Sequence, residues 1–477
     1  MGCGASFREE GPSTATPADT TPMADPKSIT VHVPSEKAET GRVVLSPFDF
    51  ASAGRPVPML WFYEATVNTS QLVSALELAL TSYQVLAGRY AVPPDAVELN
   101  NHGVPVEICK NTSTSATDAV SAYLPSDAEY KIFARNSNST FLPSADIHAK
   151  MDPDKFDPGV PLLAIKITQF VNGGTAIGIL LMHAVCDAHA MITFMKNWSR
   201  CFREMPMDPP PIHERCPVQV YGEKSELQQP ATMKMRCVPP GEPVVPEFAP
   251  KMPMILGQSV CGFNFTKANV DDMVAAAKSQ AADKLSDVPR FFSTDDVLTA
   301  HIWKAMVKLR CHQLDLSEES DQLSTAQRAC NFRSRCTPPL GDGYCANGVT
   351  QVWTEMSVKD ILTADIATIA LKLRENLQKF TADSVPDYGQ WMGQKQKEGF
   401  KVVPVFDSLA LTFVISSWNF PWYDVDFHQE PMRFDHAALV PIVVTLVPRP
   451  KKDGFMLYAQ GTEESMVRLA EYLKGAL

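Results

Sequence analysis

Five consecutive residues, His183-Ala184-Val185-Cys186-Asp187, carry the clearest chemical capacity in the chain. They follow the apolar run Thr175 to Met182, which reads as a buried strand, so the histidine is expected at a strand end on rigid backbone. A histidine held there can present one ring nitrogen to a substrate and exchange a proton near neutrality. Asp187 would either orient that ring or anchor the turn. On its own, H-x-x-x-D is a common spacing with a structural role in most chains. A competing reading is metal binding by His183, Asp187 and His189, three ligands in one short segment, although no further His, Cys or Glu cluster completes a site and no metal is expected. The sequence has no G-x-S-x-G, no G-x-x-x-x-G-K-[ST] and no G-x-G-x-x-G, which removes support from serine-hydrolase and nucleotide-hydrolase readings.

The elements that must position these residues are legible around them. Leu163 to Phe170, the turn Asn172-Gly173-Gly174, and Thr175 to Met182 read as two strands joined by residues that tolerate positive φ. Between Gln71 and Tyr83, Leu72, Ala75, Leu76, Ala79 and Leu80 fall on one helical face, which is assigned to the core. Prolines recur from Met205 to Pro253 without either period, the best place for a crossover between two halves. Ser293-Thr294-Asp295-Asp296 then looks like a helix cap, with Leu298, Ile302, Ala305 and Leu309 continuing one face. Phe455 to Gln460 reads as a strand, and Glu463 to Lys474 as an amphipathic helix closed by Gly475. The expected organisation is a disordered leader at 1–26, an N-terminal domain at 27–204 carrying the H-x-x-x-D segment, a proline-rich linker at 205–253 and a C-terminal domain at 254–477.

Composition sets the wider limits. The chain has 477 residues, enough for two cores, and its 45% hydrophobic and 20% charged content is that of a globular protein. A formal charge of −11 without a basic run argues against nucleic-acid binding. An anionic ligand would need a local cluster of donors against that field. Eleven scattered cysteines with no C-x-x-C pair fit reduced thiols in a cytoplasmic setting, and the sequons at Asn111 and Asn264 read as chance matches. The apolar stretches Leu409 to Ile415 and Ala437 to Val447 are too short to span a bilayer. Met1-Gly2-Cys3-Gly4-Ala5-Ser6 fits the pattern for myristoylation at Gly2 with Cys3 as a palmitoyl acceptor, which would tether the protein to the cytoplasmic face of a membrane.

Several further segments, taken in order, resemble the BAHD acyltransferases, which move acyl groups from coenzyme A thioesters to alcohols and amines. Leu45-Ser46-Pro47-Phe48-Asp49 is similar to the family's opening L-S-x-x-D, and Tyr83 to Arg89 to its Y-P-x-L-A-G-R segment. Pro161 through Asp187 is similar to the strand pair that delivers the family's H-x-x-x-D, and Ser293 to Trp303 to a family helix start. Asn331-Phe332-Arg333-Ser334-Arg335, with Pro338-Pro339-Leu340 and Gly343-Tyr344, resembles its arginine-containing loop. Ser416-Ser417-Trp418-Asn419-Phe420-Pro421 and Asp426-Phe427 complete the series.

The resemblance implies a mixed α/β (α+β) fold of two chloramphenicol acetyltransferase-like domains, with mixed sheets flanked by helices and an active-site channel between them. It implies a late segment from about Pro431 that returns to the first domain. It further implies His183 as general base and Trp418 as an indole donor to the oxyanion. Asp187 would pair with Arg333 or Arg335, Asp426 would support the site, and Ser416 and Ser417 would contact coenzyme A. Acyl-CoA would be the co-substrate, with no tightly bound cofactor, a small alcohol or amine the acceptor, and the protein a monomer. Trp303, Trp422 and His301 are read as structural. The sequence departs from the family at Asp426-Phe427-His428-Gln429-Glu430, where the pattern is D-F-G-W-G, and at Ala188, where a glycine is usual. No Arg or Lys lies between Val402 and Ile415, which disfavours acidic acceptors such as shikimate. Two rivals follow: a catalytically inactive, membrane-tethered binding relative, and an enzyme similar to peptide-synthetase condensation domains that takes carrier-bound thioesters.

Overall fold

A computed structural model of the chain describes residues 26–51, 56–92, 95–122, 128–134, 137, 139–151, 158–171, 173–215, 228–240, 242, 257–282, 292–404, 411–436 and 443–475. Gly2 and Cys3, with the rest of residues 1–25, lie outside them, as do Asn172 and residues 437–442.

Two mixed sheets organise these residues. In the first, six strands run in the order Lys27–Val31, Val104–Asn111, Leu163–Phe170, Thr175–Met182, Pro56–Tyr63 and Arg433–His436. In the second, seven strands run in the order Val349–Ser357, Leu323–Asn331, Thr412–Ser417, Val443–Pro448, Gly454–Gly461, Ser259–Thr266 and Tyr130–Ala134. Parallel and antiparallel pairs occur in both sheets. Each sheet borrows one strand from the opposite half of the chain: Arg433–His436 pairs with Pro56–Tyr63, and Tyr130–Ala134 pairs with Ser259–Thr266. The chain therefore crosses between its halves more than once, besides the proline-rich passage. Within that passage Ile212 bridges Tyr344, and Met235–Val238 pairs with Lys401–Pro404.

The local signals explain the central hairpin. Leu163–Phe170 and Thr175–Met182 pair antiparallel, Leu163 opposite Leu181, and Gly173 and Gly174 take φ of +94° and +92°, a backbone that side chains resist. Every residue of Thr175–Met182 is buried, as a central strand covered on both faces requires. On one face lie the helices Thr69–Leu80 and Ala188–Phe202. Asn68 starts the first by accepting from Gln71 N, two residues earlier than the apolar spacing suggests. Ala188–Phe202 buries Met191, Ile192, Phe194, Met195 and Trp198, each worth about 1.5–3 kcal/mol relative to exposure.

In the second half, Ser293 and Asp296 form a reciprocal capping box that opens the helix Thr294–Leu314, and Leu298, Ile302, Trp303, Ala305 and Leu309 are buried along it. Gly475 closes the last helix, Glu463–Lys474, in right-handed backbone with φ −68°. A third apolar cluster joins the halves, with the Phe48 and Phe332 rings 4.7 Å apart beside Tyr344 and Trp391. No helix among the described residues is long and apolar enough to cross a membrane.

Candidate active site

His183 leaves the buried strand Thr175–Met182 at its end, half-buried, and the turn that follows returns the chain into the helix Ala188–Phe202. Two fixed side-chain donors hold this turn from outside. Asn347 donates through Nδ2 to the His183 carbonyl at 2.8 Å and to Asp49 Oδ1 at 2.8 Å. Arg215 donates to the Val185 carbonyl at 3.1 Å and is paired through Nε with Asp49 Oδ2 at 2.9 Å, both side chains fully buried. Asp49 thus anchors both donors, the one on the His183 carbonyl and the one on the Val185 carbonyl. The ring itself is left unclaimed: His183 Nδ1 is buried without a hydrogen-bond partner among the described residues.

Asp187 turns away from this ring. Its carboxylate receives Arg333 as a two-pronged donor at 2.7 and 2.9 Å, Gly348 N at 2.8 Å and Ala190 N at 2.9 Å, the last making it the cap of the following helix. Burial alone would raise its pKa, but the Arg333 charge and hydrogen bonds outweigh burial and hold the carboxyl below its ordinary range. Arg333 also donates to the Tyr344 and Ala346 carbonyls, so one guanidinium ties the His183–Asp187 turn to the loop of the other half. A methyl group at Gly348 would come within 2.6 Å of that guanidinium. Arg335 does not reach Asp187; it donates to the Phe380 carbonyl at 3.3 Å. His189, whose pKa is lowered by burial and by Arg333, stands against the Asp342 carbonyl at 3.2 Å.

On the facing side, Ser416 and Ser417 end the strand Thr412–Ser417, and Trp418 follows. The Trp418 N–H donates to Ser416 Oγ at 3.0 Å. Its ring lies between two others, Trp422 at 5.6 Å and His436 at 4.0 Å between centroids. His436 ends the borrowed strand Arg433–His436 opposite Met59 and is buried. Burial and the field of His183 lower its pKa to about 3, so its ring is neutral. Trp422 is buried and donates to the Trp418 carbonyl, and Trp303 donates to Ser324 inside the second core.

The segment that departs from the family pattern is held by an ion pair, by aromatic packing and by backbone hydrogen bonds. Asp426 pairs with Arg203 at 2.7 Å, and Phe427 packs on Trp198, Phe202 and Tyr63. His428 stands at φ +64°, left-handed backbone for which glycine is the usual residue. Gln429 exchanges two hydrogen bonds with the backbone of Ala65, at 2.9 and 3.0 Å.

This arrangement brings His183, Asp187 and Arg333 to one place, with Ser416, Trp418 and His436 grouped across from them. It leaves Arg335 aside and puts Asp426 under the helix Ala188–Phe202. Sequence reasoning missed Asn347, Arg215 and His436, and gave Asp49 no role although it lies in a matched segment. Among the described residues no group of three or more His, Cys, Asp or Glu is arranged to hold a metal ion.

The family model described as the transferase family matches residues 26–473. The chain belongs to this family, the BAHD acyltransferases. Its BAHD relatives include the shikimate O-hydroxycinnamoyltransferase of Nicotiana tabacum, 23% identical over 463 residues, which span 93% of this chain and 98% of the other. The stemmadenine O-acetyltransferase of Catharanthus roseus is 24% identical, covering 87% and 88%. Among solved structures of this fold, vinorine synthase aligns with a TM-score of 0.65 at 19% identity, covering 96% of this chain and 98% of the other. F. sporotrichioides TRI101, complexed with coenzyme A and T-2, aligns with a TM-score of 0.67 at 16% identity, covering 91% and 98%. The two mixed sheets with flanking helices are thus those of a BAHD acyltransferase, and the chain is an acyl-CoA-dependent acyltransferase.

Proposed function

We propose that the protein transfers an acyl group from a coenzyme A thioester to a hydroxyl or amine of a small molecule, with His183 as general base. The supporting observation is the imidazole of His183: it leaves a buried strand on a turn fixed at the His183 carbonyl, the Val185 carbonyl and the Asp187 carboxylate, yet its Nδ1 is free of protein partners among the described residues. In the forward step the acceptor's proton moves to His183 while its oxygen or nitrogen bonds to the thioester carbon. The carbonyl pair shifts onto oxygen, then returns as the carbon–sulfur bond breaks, and His183 gives the proton to the departing thiolate. No covalent enzyme intermediate is needed. Asp187 and Arg333 position the base, and neither exchanges a proton.

Ser416 and Ser417 are the residues we assign to the pantetheine arm. Asn419 and Phe420, just beyond Trp418, line a cavity of about 760 Å³ that also takes in Lys267, Lys451 and Lys452. Asp271, Asp424 and Glu430 line the same cavity and Lys267 is paired with Asp271, so Lys451 and Lys452 are the ammonium groups we assign to the coenzyme's phosphates. Purified protein incubated with a panel of acyl-CoAs and mixed alcohols and amines, with free thiol followed, should show acceptor-dependent release for at least one pair. Absence of release across a panel of acetyl, benzoyl and hydroxycinnamoyl donors would favour the inactive binding relative.

A further inference from the structure

We propose that His436 is a catalytic residue of this reaction: its imidazole donates a hydrogen bond to the oxyanion that forms on the thioester carbonyl. The inference rests on the reading of His183 as general base. The reaction needs a donor aimed at the developing negative charge, and the indole N–H of Trp418 is already given to Ser416 Oγ. His436 lies against that same indole, ring centroids 4.0 Å apart and planes tilted by 43°, is only 6% exposed, and lies near enough to His183 for that ring to act on its pKa. Its Nδ1 has no hydrogen-bond partner among the described residues, and neither has Nδ1 of His183. A buried polar nitrogen left unsatisfied costs free energy in the resting protein, and a bound substrate that engages it recovers that cost.

Charge supports the same role. A ring kept neutral by burial presents one N–H as donor and cannot compete with His183 for the acceptor's proton. A neutral imidazole can polarise a carbonyl by donating its single N–H to the oxygen. His436 neither gains nor loses a proton in the cycle: the acceptor proton passes to His183 and on to the coenzyme A thiolate. Trp418 packs against both His436, tilted by 43°, and Trp422, and so limits where the imidazole can move.

The test compares His436→Phe, which keeps an aromatic ring on Trp418, with His436→Gln, which restores an N–H donor. Steady-state kcat and KM for acyl-CoA and acceptor are measured beside the thermal midpoint. His436→Phe should lower kcat by ~10²–10³-fold with both KM values within about threefold, the loss found when one oxyanion donor is removed, and His436→Gln should recover about tenfold or more of it. A Phe variant within about fivefold of wild-type kcat, a loss confined to KM, or a Gln variant no better than Phe overturns the proposal. His436→Leu supplies the donor-free arm if Phe does not fold, and failure of both to fold would assign the ring to structure and overturn it too. A His183→Ala variant that keeps its rate overturns the base reading instead, whereas an active His436→Phe beside an inactive His183→Ala overturns only this proposal.

Discussion

Asp187 accepts four hydrogen bonds in a site where Arg333 is also buried, so truncating it strands a cation rather than merely deleting an anion. Asp187→Ala should therefore cost about 3–5 kcal/mol of stability, read from chemical denaturation, while the folded fraction keeps more activity than His183→Ala. An unchanged denaturation midpoint with a rate as low as that of His183→Ala would instead make the aspartate part of the chemistry. Because its folded pKa lies below the unfolded value of about 3.9, the pair's stabilisation is present above that pH and is lost as pH falls further through the folded value. His183, Asp187 and Arg333 were legible because the residue types and their order in matched segments point to a base and a buried ion pair. Asn347 was not, since an asparagine in a loop carries no signal until the fold sets it against the His183 carbonyl. Arg215 was hidden in a proline-rich stretch that reads as a connection, although its guanidinium is as buried as any core side chain.

At the scale of elements, the segment from Asp426 to Glu430 holds a left-handed backbone position without the glycine usual for it. His428 holds a positive φ that histidine tolerates better than most residues, with its ring against Phe202 at 5.3 Å. A β-branched residue does not tolerate it, so His428→Ile should destabilise by about 1–3 kcal/mol and leave the KM values of the folded enzyme unchanged. A thermal midpoint equal to that of wild type would show that the loop carries no such constraint. The hairpin Leu163 to Met182 was legible to the residue because continuous apolar runs flank a glycine pair. The two exchanged strands were less so. Tyr130–Ala134 is only partly buried, and its place beside Ser259–Thr266 is set by pairing across more than a hundred residues, which no local pattern encodes. The resemblance foresaw the return of a late segment to the first half, and Arg433–His436 makes that return as an edge strand.

Over the whole molecule, buried and partly buried histidines shape the response to acid. His301, lowered to about 4 by burial and then by Lys304, and His436, lowered to about 3 by burial and then by His183, are folded in their neutral forms, and His189 is shifted the same way. Their folded values lie below the unfolded value of about 6.5, so the unfolded chain binds more protons and stability falls as pH drops from there. His213 opposes this: burial lowers its pKa, but the Cys345 thiol and the Ser82 carbonyl outweigh it, and its contribution is lost as pH rises through the raised value. Three groups against one predict a denaturation midpoint lower at pH 5 than at pH 7, with His301→Gln removing part of the difference. A flat profile over that range would contradict the assignment. The measurement that bears most directly on the account is acceptor-dependent thiol release from acyl-CoA by His183→Ala, made beside wild type at matched folding by circular dichroism. Loss of transfer to the uncatalysed level, with acyl-CoA still bound, is the expected result; release near the wild-type rate from a folded His183→Ala protein would contradict it.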